Sequence, residues 1–283
     1  MVCHNLLMCG RYRLSRRKQL IEEYFDCPSD DLDWAPRYNI APTQPVPVIR
    51  QHPKKPVRDL STMKWGLIPS WAKDPAVGAS MINARSETAH ERPAFRDALK
   101  HRRCLIPADG FYEWQRKGAS KQPFCFEVEN GELFAFAGLW EGWKDSTGNW
   151  LKTCSILTTT PNAVTSAVHD RMPVILDSRN FDLWLDPGMT DAQVVSELLK
   201  PYDARLMRAS PLAVESTAWA TMMRIALDLS CLPRRRIGYS PSRNSTPLNE
   251  VAKVVSPVWV FLISADVLLQ SVAGATRHSE VSR

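Results

Sequence analysis

Hydrophobic and polar positions along this chain change their period several times, and each change marks a short element. Leu20, Ile21, Tyr24 and Phe25 recur at helical spacing against Arg16, Arg17, Lys18, Glu22 and Glu23, which predicts an amphipathic helix capped by Ser15. Residues 28–45, rich in proline and aspartate, read as a long loop. Short strands are expected at 46–50 and 62–68, the second broken by Pro69-Ser70-Trp71. Asn83 to Glu87 leads into a helix through Phe95 and Leu99, and 103–107 reads as a strand. Residues 123–128, 132–140 and 151–159 alternate or run apolar with β-branched and aromatic content, the pattern of sheet. A strand at 174–176 and helices at 178–185 and 190–200 follow.

Many short strands with interspersed helices, and no regular strand-helix-strand alternation, predict an α+β domain with a curled, mostly antiparallel, barrel-like β-sheet flanked by helices. Five polar stretches, at 9–13, 38–44, 83–87, 109–114 and 169–173, read as loops between apolar elements. Loops on a rigid scaffold are where chemistry is usually placed.

Composition narrows the class. A length of 283 residues with 44% hydrophobic and 9% aromatic content supports a sizeable core. Cys3, Cys9, Cys27, Cys104, Cys125, Cys154 and Cys231 are odd in number and scattered, with no CxxC pair and no zinc spacing. Reduced thiols in the cytoplasm, with no metal and no organic cofactor, are the expectation. Residues 1–8 lack the basic start and apolar core of a signal peptide, and the apolar run Val258 to Leu269 is short and interrupted by Asp266, so no membrane partner is expected. A net charge of +6 permits an anionic partner such as nucleic acid.

Taken singly, the chemically interesting residues have ordinary explanations. Cys9 inside a chain is a small hydrophobe, Asn83 a helix cap, Glu113 a paired carboxylate, and Trp65, Trp71 and Trp114 core side chains. His169, flanked by Asp170 and Arg171, is a better candidate for proton transfer.

Their ordered combination says more. Met8-Cys9-Gly10-Arg11-Tyr12, Tyr38-Asn39-Ile40-Ala41-Pro42-Thr43, Trp65-Gly66-Leu67-Ile68-Pro69-Ser70-Trp71, Asn83-Ala84-Arg85-Ser86-Glu87, Arg103-Cys104-Leu105-Ile106-Pro107-Ala108, Gly110-Phe111-Tyr112-Glu113-Trp114 and His169-Asp170-Arg171-Met172-Pro173 closely resemble, in order, the motifs of the SOS response-associated peptidase family. The resemblance spans about residues 8–211. It implies a DNA-damage protein that binds single-stranded DNA and links covalently to abasic sites, with Cys9 as nucleophile, Asn83 and Glu113 as a polar pair and His169 as catalytic histidine. An amino-terminal cysteine carries an α-amine and a thiol two carbons apart. The amine condenses with the aldehyde of an opened abasic sugar, and the thiol closes a thiazolidine ring. Glu113 or His169 would move the protons, Asn83 would position, and which of the two acids and bases serves each step stays open.

By the same resemblance Arg11, Arg85 and Arg171, with Ser86 beside them, suit flanking phosphates, and Pro42, Trp65 and Trp114 suit splayed bases. The expected partner is single-stranded DNA containing abasic sites, met by a monomer associated with the nucleoid. Competing readings are a thiol peptidase using Cys9 with His169, and a single-strand binding module without chemistry.

Two segments depart from the family pattern. Residues 1–8 precede Cys9 and would leave its nitrogen an amide, so translation is expected to start at Met8, with methionine removal exposing Cys9. Residues 212–283 lack the family's continuation and change composition at Arg234-Arg235-Arg236. Codons allowed for Leu212 to Met223 spell Val-Asn and Asn-Asp pairs in another frame, so a frameshift near Pro211 to Ala213 is expected.

Overall fold

A computed structural model of the chain describes residues 9–29, 35–52, 55–118, 120–128 and 131–212. The extension 1–8 and the tail from residue 213 lie outside the described residues.

The predicted sheet closes on itself. Strands β3 (Pro45–Gln51), β4 (Arg58–Trp65), β6 (Arg103–Ala108), β9 (Phe134–Lys144) and β10 (Trp150–Thr159) form a circuit in which β3 pairs with β4 and β6, β6 with β9, and β9 with β10. Closure comes from one parallel contact, Thr153 opposite Lys64 and Cys154 opposite Trp65, between β10 and β4. The other pairs of the circuit are antiparallel, and a closed barrel leaves no free edge among these five strands. Short strands add at its margins: β5 (Asn83–Arg85) and β11 (Met172–Pro173) on β10, and β12 (Ile175–Leu176) on β9.

A second, antiparallel sheet runs in the order β13 (Met207–Pro211), β8 (Ser120–Val128), β7 (Gly110–Lys117), β1 (Arg11–Leu14) and β2 (Arg37–Ile40). Aromatic side chains join it to the barrel. The Tyr12 ring meets Trp65 and Phe136 edge-on at 5.4 and 5.6 Å, and Phe111 meets Phe136 edge-on at 6.1 Å. Rings of this size, excluded from water, contribute much of the hydrophobic stabilisation. Burial on both sides explains why β6 and most of β9 carry continuous apolar runs instead of alternation.

Helices are short: α1 (Lys18–Phe25), α2 (Arg96–His101), α3 (Phe181–Leu185) and α4 (Ala192–Glu197). Among the described residues no helix is long and apolar enough to cross a membrane.

Several expectations are corrected. Ser15 does not cap α1; Arg17 stands at the cap position without a side-chain bond. Ser15 instead gives its amide and hydroxyl to Asp109 Oδ2 at 2.6 and 2.7 Å, because that carboxylate is fully buried and needs donors. The helix buries Ile21 and Phe25, while Leu20 and Tyr24 are exposed. The helix expected after Glu87 starts only at Arg96, and Asn83 lies in a strand rather than capping a helix. The polar stretches 9–13, 38–44, 83–87 and 109–114 contain strands β1, β2, β5 and β7, so this chemistry stands largely on sheet. Polar side chains there share strands with core residues, which masks the period.

Candidate active site

Strand register brings the first pair together. In the β1–β7 ladder Arg11 lies opposite Tyr112, which sets Cys9, just before β1, beside Glu113. The Cys9 N–H donates to Glu113 Oε1 at 2.6 Å, and both residues are buried, 4% and 2% exposed. Cys9 adopts a φ of +46°, a left-handed backbone that side chains other than glycine rarely take.

Burial governs the charges here. It pushes the Glu113 carboxyl above the usual carboxylate range, an effect the Cys9 hydrogen bond and the His169 charge partly offset. The Cys9 thiol is pushed well above its ordinary value, first by burial and then by the negative charge of Glu113, with Arg171 opposing. Burial therefore favours the protonated form of both groups.

The second group of residues gathers at the end of β10. On one side β5 sets Asn83 opposite Ile156 and Arg85 opposite Thr158; on the other β11 sets Met172 opposite Thr159. The turn leading to β11 carries His169. Asn162 organises that turn, its Oδ1 accepting the amides of Val164 and Thr165 at 3.0 Å each, and the His169 amide donates to Thr165 O at 2.9 Å. Gln115 Nε2 donates to Ala167 O at 2.6 Å, which ties β7, the strand of Glu113, to the turn of His169. His169 Nδ1 accepts the Arg171 amide at 3.1 Å and lies 2.9 Å from Asp170 Oδ1.

The remaining expected residues separate. Arg85 is exposed at the end of β5, and Ser86 is half-buried, its amide bonded to Thr158 O at 2.9 Å. Arg11 is half-buried and donates to Asn39 Oδ1 at 3.1 Å. Pro42 and Trp114 are half-buried. Arg171 departs from the expectation of a phosphate ligand: it is buried, and its guanidinium is engaged by both oxygens of Glu87 and by Thr158. Trp65 departs further, being 0% exposed with Nε1 bonded to Ile82 O at 2.8 Å, so no base can stack on it.

Trp71, passed over as a binding residue, is 63% exposed, and Tyr38 is 57% exposed. The loop of Trp71 is held firmly. Gly66 has φ +131°, and a Cβ there would lie 2.6 Å from Gly78 O, so only glycine fits this approach. Ile68 N–H bonds Thr153 Oγ1 at 2.9 Å and Trp143 Nε1 bonds Ala72 O at 2.7 Å, which anchors the chain on both sides of Trp71. The signal was local: a tryptophan just past a Pro-Ser break. Among the described residues no three His, Cys, Asp or Glu side chains are grouped to hold a metal ion.

Comparison with known proteins places this arrangement. The family model "SOS response associated peptidase (SRAP)" matches residues 8–216, taking in both halves of the site. The chain belongs to the SRAP family. It is 45% identical over 205 residues to the abasic site processing protein YoqW of Bacillus subtilis, a match covering 71% of this chain and 91% of that protein. Against the abasic site processing protein HMCES of Rattus norvegicus the identity is 34% over 207 residues, covering 60% of this chain and 59% of that one. A crystal structure of a Bacteroides thetaiotaomicron protein shares the SRAP architecture at a TM-score of 0.67 and 28% identity, over 73% of this chain and 93% of that one. The SRAP match runs to residue 216, where the sequence reading put the boundary at 211.

Proposed function

We propose that this chain processes abasic sites in single-stranded DNA by linking them covalently to Cys9. The observation that carries the reading is the 2.6 Å contact between the Cys9 nitrogen and the buried Glu113 carboxylate, within the field of His169. Glu113 reaches both the nitrogen and the thiol of Cys9, the two atoms a thiazolidine uses.

The chemistry follows from that placement. With residues 1–8 removed, the Cys9 nitrogen is an amine and its lone pair attacks C1′ of the ring-opened sugar, forming a carbinolamine. Glu113, whose burial favours the protonated carboxyl, donates a proton to the departing hydroxyl, which leaves as water and yields the imine. The Cys9 sulfur then bonds to the same carbon, its proton passes to nitrogen, and a thiazolidine results. His169, whose charge acts on Glu113, is the second group assigned to proton transfer, and Asn83 on β5 is assigned a positioning role. Exposed Arg85 and Trp71 suit flanking phosphates and an unstacked base.

Backbone geometry supports an amino-terminal Cys9. A left-handed φ costs a non-glycine residue about 1 kcal/mol or more while a carbonyl precedes it. Without Met8 that torsion no longer exists and the strain disappears.

A thiol peptidase is the weaker reading, because an activated cysteine has a depressed pKa and this one is raised. The test is a denaturing gel of protein with single-stranded abasic DNA, comparing chains that start at Met1 and at Met8, with intact mass recorded for each. A heat-stable adduct from the chain exposing Cys9 is expected. Peptide turnover without an adduct would overturn the assignment, and full crosslinking by a chain retaining Met1 would remove the amine from it.

A further inference from the structure

A second recess shares a wall with the rim of this site. Ser86, next to exposed Arg85, lines a cavity of about 230 Å³ whose other sides come from α2 and α4 and the residues around them.

Its walls are cationic. Lys100 has no ion-pair partner among the described residues, while Arg96 and His90 meet only their own neighbours Asp97 and Glu91, at 3.7 and 3.5 Å. Exposed pairs of that kind neutralise little. Beneath them lies Arg103, 5% exposed, whose guanidinium donates to the backbone carbonyls of Leu99, Lys100, Trp184 and Asp186 instead of to a carboxylate. Its charge therefore adds to the positive field, with Asp186 as the nearest opposing group. The floor is apolar, made by the buried side chains of Leu99, Val195 and Leu199, and Gln193 adds an amide at the wall.

A cationic wall over an apolar floor suits a nucleotide, with phosphate on the lysine and arginine and sugar or base edge below. We propose that this cavity is a subsite for a nucleotide flanking the abasic position in the same strand, its phosphate held by Arg96 and Lys100. The proposal rests on the single-strand reading above and adds a defined contact beyond Arg85.

The test measures non-covalent binding, so that it does not depend on crosslinking. Oligonucleotides with thymidine in place of the abasic site are shortened one residue at a time from each end, and affinity is read by fluorescence anisotropy for the full chain and for R96E/K100E. Both residues are exposed, so the fold tolerates reversal. Expected are an affinity step in the unmodified chain at one length on one side only, and an affinity for long DNA about tenfold lower in the variant, which no longer shows the step. The salt slope should fall by about 0.7, one phosphate's worth. Equal weakening of long and short DNA, or none, would overturn the subsite. Thymidine monophosphate is the control for the other source of the same chemistry: if it binds in a variant-sensitive way and shortening has no effect, the cavity takes free nucleotides and the proposal fails. A length step without any adduct on abasic DNA would sink the crosslinking reading and leave the subsite standing.

Discussion

Arg171 grips Glu87 through two parallel bonds, Nη1 to Oε1 at 2.6 Å and Nη2 to Oε2 at 2.8 Å, and Nη2 also reaches Thr158 O at 2.7 Å. The pair joins the turn of His169 to the segment of Asn83 and Arg85 across the end of β10. Fork-to-fork geometry fixes orientation as well as distance. It aligns two motifs 84 residues apart.

Glu87→Gln leaves buried Arg171 without its counter-charge and should cost about 1–2 kcal/mol, toward the low end for a buried pair because the Glu87 side chain is 44% exposed. The Arg171 bonds hold the Glu87 carboxyl below its ordinary pKa. A depressed acid stabilises above its unfolded pKa and loses that contribution as pH falls through the folded value. Thermal melts should therefore show the largest gap between the two proteins at neutral pH, closing as pH falls below the ordinary glutamate value of about 4.3. A gap independent of pH would contradict the pairing.

Glu113→Gln should separate stability from function. The Glu113 carboxyl is raised by burial, so ionising it costs more in the fold than in the unfolded chain. Its stabilising form is present below the unfolded pKa and is lost as pH rises through the folded value. The glutamine variant should therefore gain on the unmodified chain in melting temperature as pH rises above the ordinary glutamate value of about 4.3. Crosslinking to abasic DNA should slow by about a hundredfold or more. Unchanged crosslinking would remove Glu113 from the chemistry.

Trp65 and Trp71 should divide cleanly. Trp65→Ala, in the core, is expected to cost about 3–5 kcal/mol in urea denaturation. Trp71→Ala should leave stability nearly intact and weaken single-stranded DNA binding by about 1–3 kcal/mol. The reverse outcome would mean that Trp71 packs rather than binds.

Arg103→Met removes four bonds to the carbonyls of Leu99, Lys100, Trp184 and Asp186 and should cost about 2–4 kcal/mol in urea denaturation. Arg103→Lys should restore only part, because one ammonium cannot reach carbonyls on two helices at once. Full rescue by lysine would show that charge, not the planar fork, matters.

Much of this was legible in the linear chain. Short strands, an amphipathic first helix, and the ordered motifs around Cys9, Asn83, Glu113 and His169 were readable because each is a run of neighbouring residues. The register of β1 on β7 was not readable, and it alone decides that a cysteine and a glutamate 104 residues apart share a hydrogen bond. Ser15 looked like a cap until Asp109, 94 residues away, claimed its amide and hydroxyl.

The order of residues by itself determined the family and the mixed fold and named the candidate reactive groups, since composition and spacing are local properties of a chain. Only the tertiary structure decided that one parallel contact closes the barrel, that Trp65 is core while Trp71 is surface, and that Arg171 serves Glu87. Burial and pairing depend on residues brought close by packing, and two tryptophans six positions apart in one motif carry no local mark of which will be covered.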